Sequence, residues 1–358
     1  MSTARFKEPI DLGRLTRQAQ NTRMFQEAQE ASVVAARQIL ANAEVNRRLG
    51  RELRESPPSL VVTCARGSSD HAATYAKYLI ETRIGVTTAS AAPSVQSVYA
   101  ERAGPENALF LAISQSGKSP DLLATAQNAK RAGALVVGMV NVETSSLALL
   151  ADVALPLKAG PELSVAATKS YIAALAAVLH LVAHWAEADE SLNSLADLPD
   201  LLAKAWTLDW TAGVKGLAEA QSLFVLGRGL GLGIAQEMAL KFKETCSIHA
   251  EAFSTAEVRH GPMTIIGKGF PVLIIGQDDE SLPGVRETAA EMVARGARVF
   301  CAGFETEGAT TLPWLAADPA IQPLLLVQSF YRMNCLIALA RGLDPDRPPH
   351  LSKVTETR

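Results

Sequence analysis

Ala108-Leu-Phe-Leu-Ala-Ile113, followed by Ser114-Gln-Ser-Gly-Lys-Ser119-Pro120, decides the fold of this chain. Six apolar residues without a polar interruption read as a strand buried on both faces. The turn after it is rich in hydroxyls and ends on Ser119-Pro120, an N-cap followed by a proline at the first helical position. A helix is therefore predicted over about 120–132. Outward from this unit the pattern alternates. Strand Ser59-Leu-Val-Val-Thr-Cys64 leads through Ala65-Arg-Gly-Ser-Ser69 into a helix over 70–83, and a short strand near 85–91 precedes a helix near 93–100. Strands at 135–140 and 152–157 come before a helix over 164–187. Strands alternating with helices of this length make βαβ units and a parallel sheet.

The chain then repeats itself. Ser222-Leu-Phe-Val-Leu-Gly-Arg-Gly229 resembles Ser59–Gly67, and Leu273-Ile-Ile-Gly-Gln277 resembles Leu111-Ala-Ile-Ser-Gln115; Arg228 minus Arg66 and Gln277 minus Gln115 both give 162. Two matches at one offset predict a duplicated α/β domain, joined near 188–215 by a polar and then helical segment. Upstream, residues 1 to about 20 read as a polar, aperiodic arm. Thr22–Arg54 carries apolar residues at helical spacing, enough for one or two amphipathic helices.

The totals exclude several function classes. A length of 358 residues suits about two domains of roughly 150 residues each, and 48% hydrophobic with 20% charged residues is ordinary globular composition. A net charge of −3 without a basic run leaves no footprint for nucleic acid. The Tyr171–Ala186 stretch is too short for a membrane span and reads as a buried Ala-rich helix broken by His180 and His184. Cys64, Cys246, Cys301 and Cys335 are widely spaced, which predicts free thiols in a reducing cytoplasm. The N-terminus lacks an apolar signal region.

Two hydroxyl-rich loops carry the first candidate site. Ser114–Ser119 would offer hydroxyls and free backbone N–H groups at the positive end of a helix dipole, a phosphate site without the spacing of a P-loop. Taken alone, such a turn equally serves to cap a helix. Gly67-Ser68-Ser69, at the end of another strand of the same half, favours the phosphate reading, because ligands of open α/β sheets collect there. The repeat has Gly276-Gln-Asp-Asp279 in place of Ser114-Gln-Ser-Gly117, where like charge would repel a phosphate. One phosphate site per chain is expected. The second candidate site is Ala239-Leu-Lys-Phe-Lys-Glu244, the end of a helix, running on to His260-Gly-Pro262. Lys241 and Glu244 share a helix face, a pattern that is usually solvated, yet amine, carboxylate and imidazole together suit proton transfer beside a carbonyl.

The Ser-Gln-Ser-Gly loop, the repeated α/β domain and the Ala-Leu-Lys-x-Lys-Glu…His-Ala-Glu…His-Gly-Pro run resemble the sugar isomerase (SIS) family over residues 24–358. The nearest likeness is to the isomerase half of glucosamine-6-phosphate synthase and to the deaminases built on the same fold. Gly342-Leu-Asp-Pro-Asp-Arg-Pro-Pro-His-Leu-Ser-Lys353 adds a further match. The resemblance implies two tandem SIS domains, each a flavodoxin-like three-layer sandwich, with boundaries at 1–54, 55–200, 201–345 and a 346–358 tail. It implies that Ser114, Gln115, Ser116 and Ser119 hold a phosphate and that Ser68 and Ser69 touch the sugar. Glu244 would be the base, Lys241 would assist its charge state, His260 would open the ring across a homodimer interface, and Lys353 would engage the open-chain carbonyl. Val165, in Glu162–Lys169, would line the pocket; Ala167 stands where the synthase carries a serine, which puts one sugar contact in doubt. His71, His180, His184 and His249 are read as structural, with His249 the strongest exception, and His350 lies near Lys353. No cofactor and no metal is expected.

Cys64, the first cysteine, falls inside a predicted strand, so no glutaminase nucleophile is expected. The reaction then expected is conversion of glucosamine 6-phosphate to fructose 6-phosphate plus ammonia. The alternatives are a glutaminase-less synthase, a fructosamine-phosphate deglycase and a sugar-phosphate sensor.

Overall fold

A computed structural model describes residues 10–99 and 106–353. The chain divides into two compact units. Among the described residues, one comprises 33–99, 106–162 and 169–199, the other 10–32, 163–168 and 200–353.

The first of these carries strands β1 (Leu60–Cys64), β2 (Thr88–Ser90), β3 (Ala108–Ser114), β4 (Leu135–Val140) and β5 (Val153–Pro156), all parallel, in the order β2-β1-β3-β4-β5. All seven residues of β3 are buried, as an uninterrupted apolar run at the centre of a parallel sheet requires. Of the thirteen α-helices among the described residues, α1 (Leu12–Ala19) and α2 (Arg23–Gln29) belong to the other unit, which α3 (Ala31–Glu55) leaves as it enters this one. The crossovers here are α4 (Ser68–Arg83), α5 (Pro93–Ser97), α6 (Pro120–Arg131) and α7 (Ser146–Leu150). Phe110, Ala112, Leu122, Val136, Val140 and Leu147 build the core between sheet and helices. α8 (Lys169–Trp185) is buried at every residue but His184, so it is the greasy core helix that the Tyr171–Ala186 stretch predicts, starting five residues later than expected.

α9 (Asp189–Trp206) leads out of this unit, and α10 (Thr211–Leu217) precedes the second sheet. That sheet contains β6 (Ser222–Gly227), β7 (His249–Ser254), β8 (Pro271–Ile275), β9 (Arg298–Ala302) and β10 (Thr310–Leu312), in the order β10-β9-β8-β6-β7. Read from β6, this is the topology of the first sheet, so the duplication is real. Its helices are α11 (Leu230–Cys246), α12 (Leu282–Ala294) and α13 (Gln322–Ala340).

Two local expectations are corrected. The arm at 1–20 contains α1, capped by Asp11, whose carboxylate accepts from Arg14 N at 2.9 Å, with Leu15 and Ala19 buried. Leu12, Leu15 and Ala19 fall at helical spacing, so the period is present but only two turns long among polar residues. Residues 1–9 of the arm, and Ala100 at the end of the helix expected near 93–100, lie outside the described residues. The second correction is β7, a strand not predicted in the run from Glu244 to His260. It is the edge of its sheet, with His249 and Glu251 exposed and Ala250 buried, so its polarity hides the strand.

Three segments distant in sequence meet at α2. The Asp346 carboxylate accepts from Arg23 N at 2.9 Å and Met24 N at 2.8 Å, while Thr22 caps Phe25 N. The tail is thus seated on the free N–H groups of this helix. Glu27, buried, accepts from Leu163 N, Ser164 N and the Ser164 hydroxyl, and Val165 N donates to the Asp346 carbonyl at 3.3 Å.

His180 on α8 is 3% exposed, its Nδ1 has no partner among the described residues, and burial, then the neighbouring His184, pushes its pKa down to about 4. The unfolded chain therefore binds a proton that the folded chain does not between pH 6.5 and about 4. Stability should be complete above pH 6.5 and fall on acidification by up to ~3 kcal/mol from this group. In urea unfolding at a series of pH values, His180→Leu should flatten that slope; parallel curves for the two proteins would refute the assignment.

Candidate active site

In the first sheet, β2 follows β1 on one side and β3 lies on the other, so the carboxyl ends of β1 and β3 flank a topological switch point. Both hydroxyl loops open there. Gly67 (φ 57°) turns the chain from β1 into α4, placing Ser68 and Ser69 in its first turn, both half-buried. Beyond β3, Ser114 is buried and its hydroxyl accepts from Gly117 N at 3.0 Å, closing the loop on itself. Gln115, Ser116 and Ser119 are half-buried. Ser119 is the N-cap of α6, but its side chain makes no capping bond. Gly117 cannot be replaced by a larger residue without strain: its φ is +62° and an added Cβ would lie 2.2 Å from Ser145 Oγ.

The matching crevice of the second sheet is filled. Gln277 is 1% exposed, and its Nε2 donates to the Arg228 carbonyl, to Asp279 Oδ2 and to Ser281 Oγ at 2.8–3.1 Å. A Cβ on Gly231 would meet Gln277 Oε1 at 2.7 Å. The amide and Asp279 thus bridge the loops that follow β6 and β8.

What the second unit offers instead is α11. Ala235, Met238, Ala239 and Phe242 are buried, as their spacing predicts. So is Lys241, at 0% exposure, and its Nζ lies 3.2 Å from Glu237 Oε1 and 2.5 Å from Glu244 Oε2. Glu237, not singled out from the sequence, is also fully buried and accepts from Tyr331 OH on α13 at 3.1 Å. Its position four residues before Lys241 was the available signal. Burial alone would depress Lys241, but Glu237 and then Glu244 outweigh it and hold the ammonium above its ordinary value. Glu244 keeps 20% exposure and so is the member of the cluster that reaches solvent.

His260 ends a 3-10 turn (Glu257–Arg259) and is exposed. His249 is exposed on the edge strand, His350 has φ 65° and is exposed, and His71 is half-buried on α4. Lys353 is half-buried, seven residues beyond the Asp346 anchor that also receives Val165 N. Val165 is half-buried and Ala167 leaves its position without a hydroxyl. All four cysteines are free and buried, and burial pushes Cys64 and Cys246 up to about 12. They are inert thiols.

The SIS domain profile matches residues 56–184 and 216–302. The chain belongs to the SIS domain family. A glutamine–fructose-6-phosphate aminotransferase from Sulfurisphaera tokodaii is 33% identical over 308 residues, covering 82% of this chain and 49% of the relative. The chain thus spans about half the length of the curated relatives it matches. Among solved structures, a candidate phosphosugar isomerase from Silicibacter pomeroyi is 44% identical with a TM-score of 0.87, covering 91% of this chain and all of that one. The C-terminal domain of glucosamine-fructose-6-phosphate aminotransferase from Francisella tularensis is 26% identical with a TM-score of 0.82, over 92% and 98% of the two chains. The fold is also that of a glucosamine-6-phosphate deaminase from Thermotoga maritima, 23% identical, TM-score 0.69, over 90% of this chain and all of that one.

Within this SIS chain the α11 cluster yields a contrast in stability. Lys241→Met removes the ammonium that faces the fully buried Glu237 carboxylate and should cost ~3–5 kcal/mol. Glu244→Gln leaves the Lys241–Glu237 pair intact and should cost about 1 kcal/mol. Urea denaturation of both variants checks the order; equal losses would show that Glu237 is not held by Lys241.

Proposed function

We propose that this chain is a phosphosugar isomerase that deaminates: it converts glucosamine 6-phosphate and water to fructose 6-phosphate and ammonia. The observation that carries the reading is Glu244, the partly exposed end of a buried carboxylate–ammonium–carboxylate cluster. The kinship with aminotransferase and candidate isomerase chains supports the substrate class.

In this reading Ser114–Ser119 binds the phosphate and Ser68 and Ser69 contact the sugar. His260 opens the ring. Its exposure within its own chain suits a role in the site of a second copy, which would make the working form a homodimer with shared active sites. Glu244 takes the proton from C2 of the open-chain amino aldose and returns it to C1, which leaves an imine at C2. Water adds to that imine, the C–N bond breaks, and ammonia departs. Lys241 is held as a cation by two carboxylates, so its part is to orient Glu244 rather than to form an imine. Lys353, on the tail seated by Asp346, engages the open-chain carbonyl. Four buried thiols suit a reducing cytoplasm and leave no cysteine in these residues to act as a glutaminase nucleophile.

Incubation with glucosamine 6-phosphate should release ammonia and fructose 6-phosphate in equal amounts. Glu244→Gln should lose about 10²–10⁴-fold in kcat while still binding the phosphosugar. Binding without product in the wild-type protein would overturn the deaminase reading and favour a fructosamine-phosphate substrate or a sensor.

A further inference from the structure

Arg66 follows β1 directly and faces the first turn of α6, the helix that begins at the phosphate loop. Its Nε and Nη2 both donate to a single oxygen, Asp121 Oδ2, at 2.9 and 2.5 Å. Asp121 is 1% exposed, and its other oxygen accepts from Leu122 N at 2.8 Å. The Arg66 side chain is 49% exposed, and its Nη1 has no partner among the described residues. One edge of the guanidinium is thus fixed by a buried carboxylate and the other is presented to solvent at the switch point.

The duplication supplies an internal control. Arg228 stands 162 residues after Arg66, but the same spacing from Asp121 leads to Pro283. Arg228 makes no ion pair among the described residues, and its crevice is filled by Gln277. The clamped arginine accompanies the open hydroxyl loop and is missing where that loop is closed. The electrostatics point the same way. An ionised Asp121 in the first turn of α6 opposes a phosphate dianion at that helix N-terminus, and Arg66 reverses this locally by placing N–H donors ahead of the carboxylate.

We infer that Arg66, oriented by Asp121, is a further ligand for the phosphate monoester of the substrate. This rests on the reading that Ser114–Ser119 holds the phosphate. The competing role is that Arg66 only neutralises Asp121, and the two separate in a double-mutant cycle. Fructose 6-phosphate binding would be measured by calorimetry on the full chain, for wild type, Arg66→Gln, Asp121→Asn and the double variant, with unphosphorylated fructose as control. Thermal unfolding would confirm that each variant is folded. Arg66→Gln should weaken binding by about 10–100-fold, and the double variant, which carries no charge at position 121, should stay at least about tenfold weaker than Asp121→Asn. If the double variant binds as wild type does, or Arg66→Gln changes nothing, the inference is wrong while the phosphate loop stands. If wild type itself fails to bind fructose 6-phosphate, the phosphate-loop reading fails and the inference with it.

Discussion

Lys241 is enclosed by protein on all sides, and a buried ammonium is tolerated only where carboxylates meet it at hydrogen-bond distance. Glu237 and Glu244 do so from the same helix, at four residues before and three after, which puts all three groups on one stripe of α11. The helix cannot rotate without stranding a charge. Its neighbour α13 locks that rotation through Tyr331 on Glu237 and through Asn334, whose side chain donates to Thr245 Oγ1 at 2.6 Å. Because Glu237 and Lys241 must point inward, Glu244 emerges at the rim of the buried cluster with one-fifth of its side chain exposed. The placement of the candidate base is thus a consequence of burying a lysine.

The two sheets are the same device put to different uses. Each has its switch point between its first and third strands in chain order. In one, small hydroxyl residues, a positive-φ glycine and a clamped arginine gather at the switch point. In the other, Gln277 and Asp279 bond to each other, and Gln277 bonds to the backbone across it. A glutamine sits at the same repeat position in both, so the difference lies in the pair of residues after it, Ser116-Gly117 in one half and Asp278-Asp279 in the other. Duplication supplied two equivalent switch points, and they differ in charge: hydroxyls follow the glutamine in one and two aspartates follow it in the other.

Much of this was readable because it is local. Strand β3, the Ser119-Pro120 helix start, the repeat offset and the Lys241–Glu244 face each depend on residues a few positions apart, where backbone periodicity speaks directly. Glu237 was within reach by the same rule and was passed over, since an acid four residues before a lysine looks like an ordinary solvated pair until its burial is known. Helix α1 and strand β7 escaped because one is only two turns long amid polar residues and the other is a polar edge.

The sequence by itself determined the α/β class, the doubling, the hydroxyl loop and the chemistry of the α11 groups, because these reside in composition and short spacing. Tertiary structure decided which groups are buried and which segments meet. Asp346 reaches the start of α2 across 323 positions and Glu27 holds Leu163 across 136. Arg66 reaches Asp121 across 55. Such pairings leave no periodic trace, because the partners are brought together only when sheet order and helix packing fold distant parts of the chain onto one another.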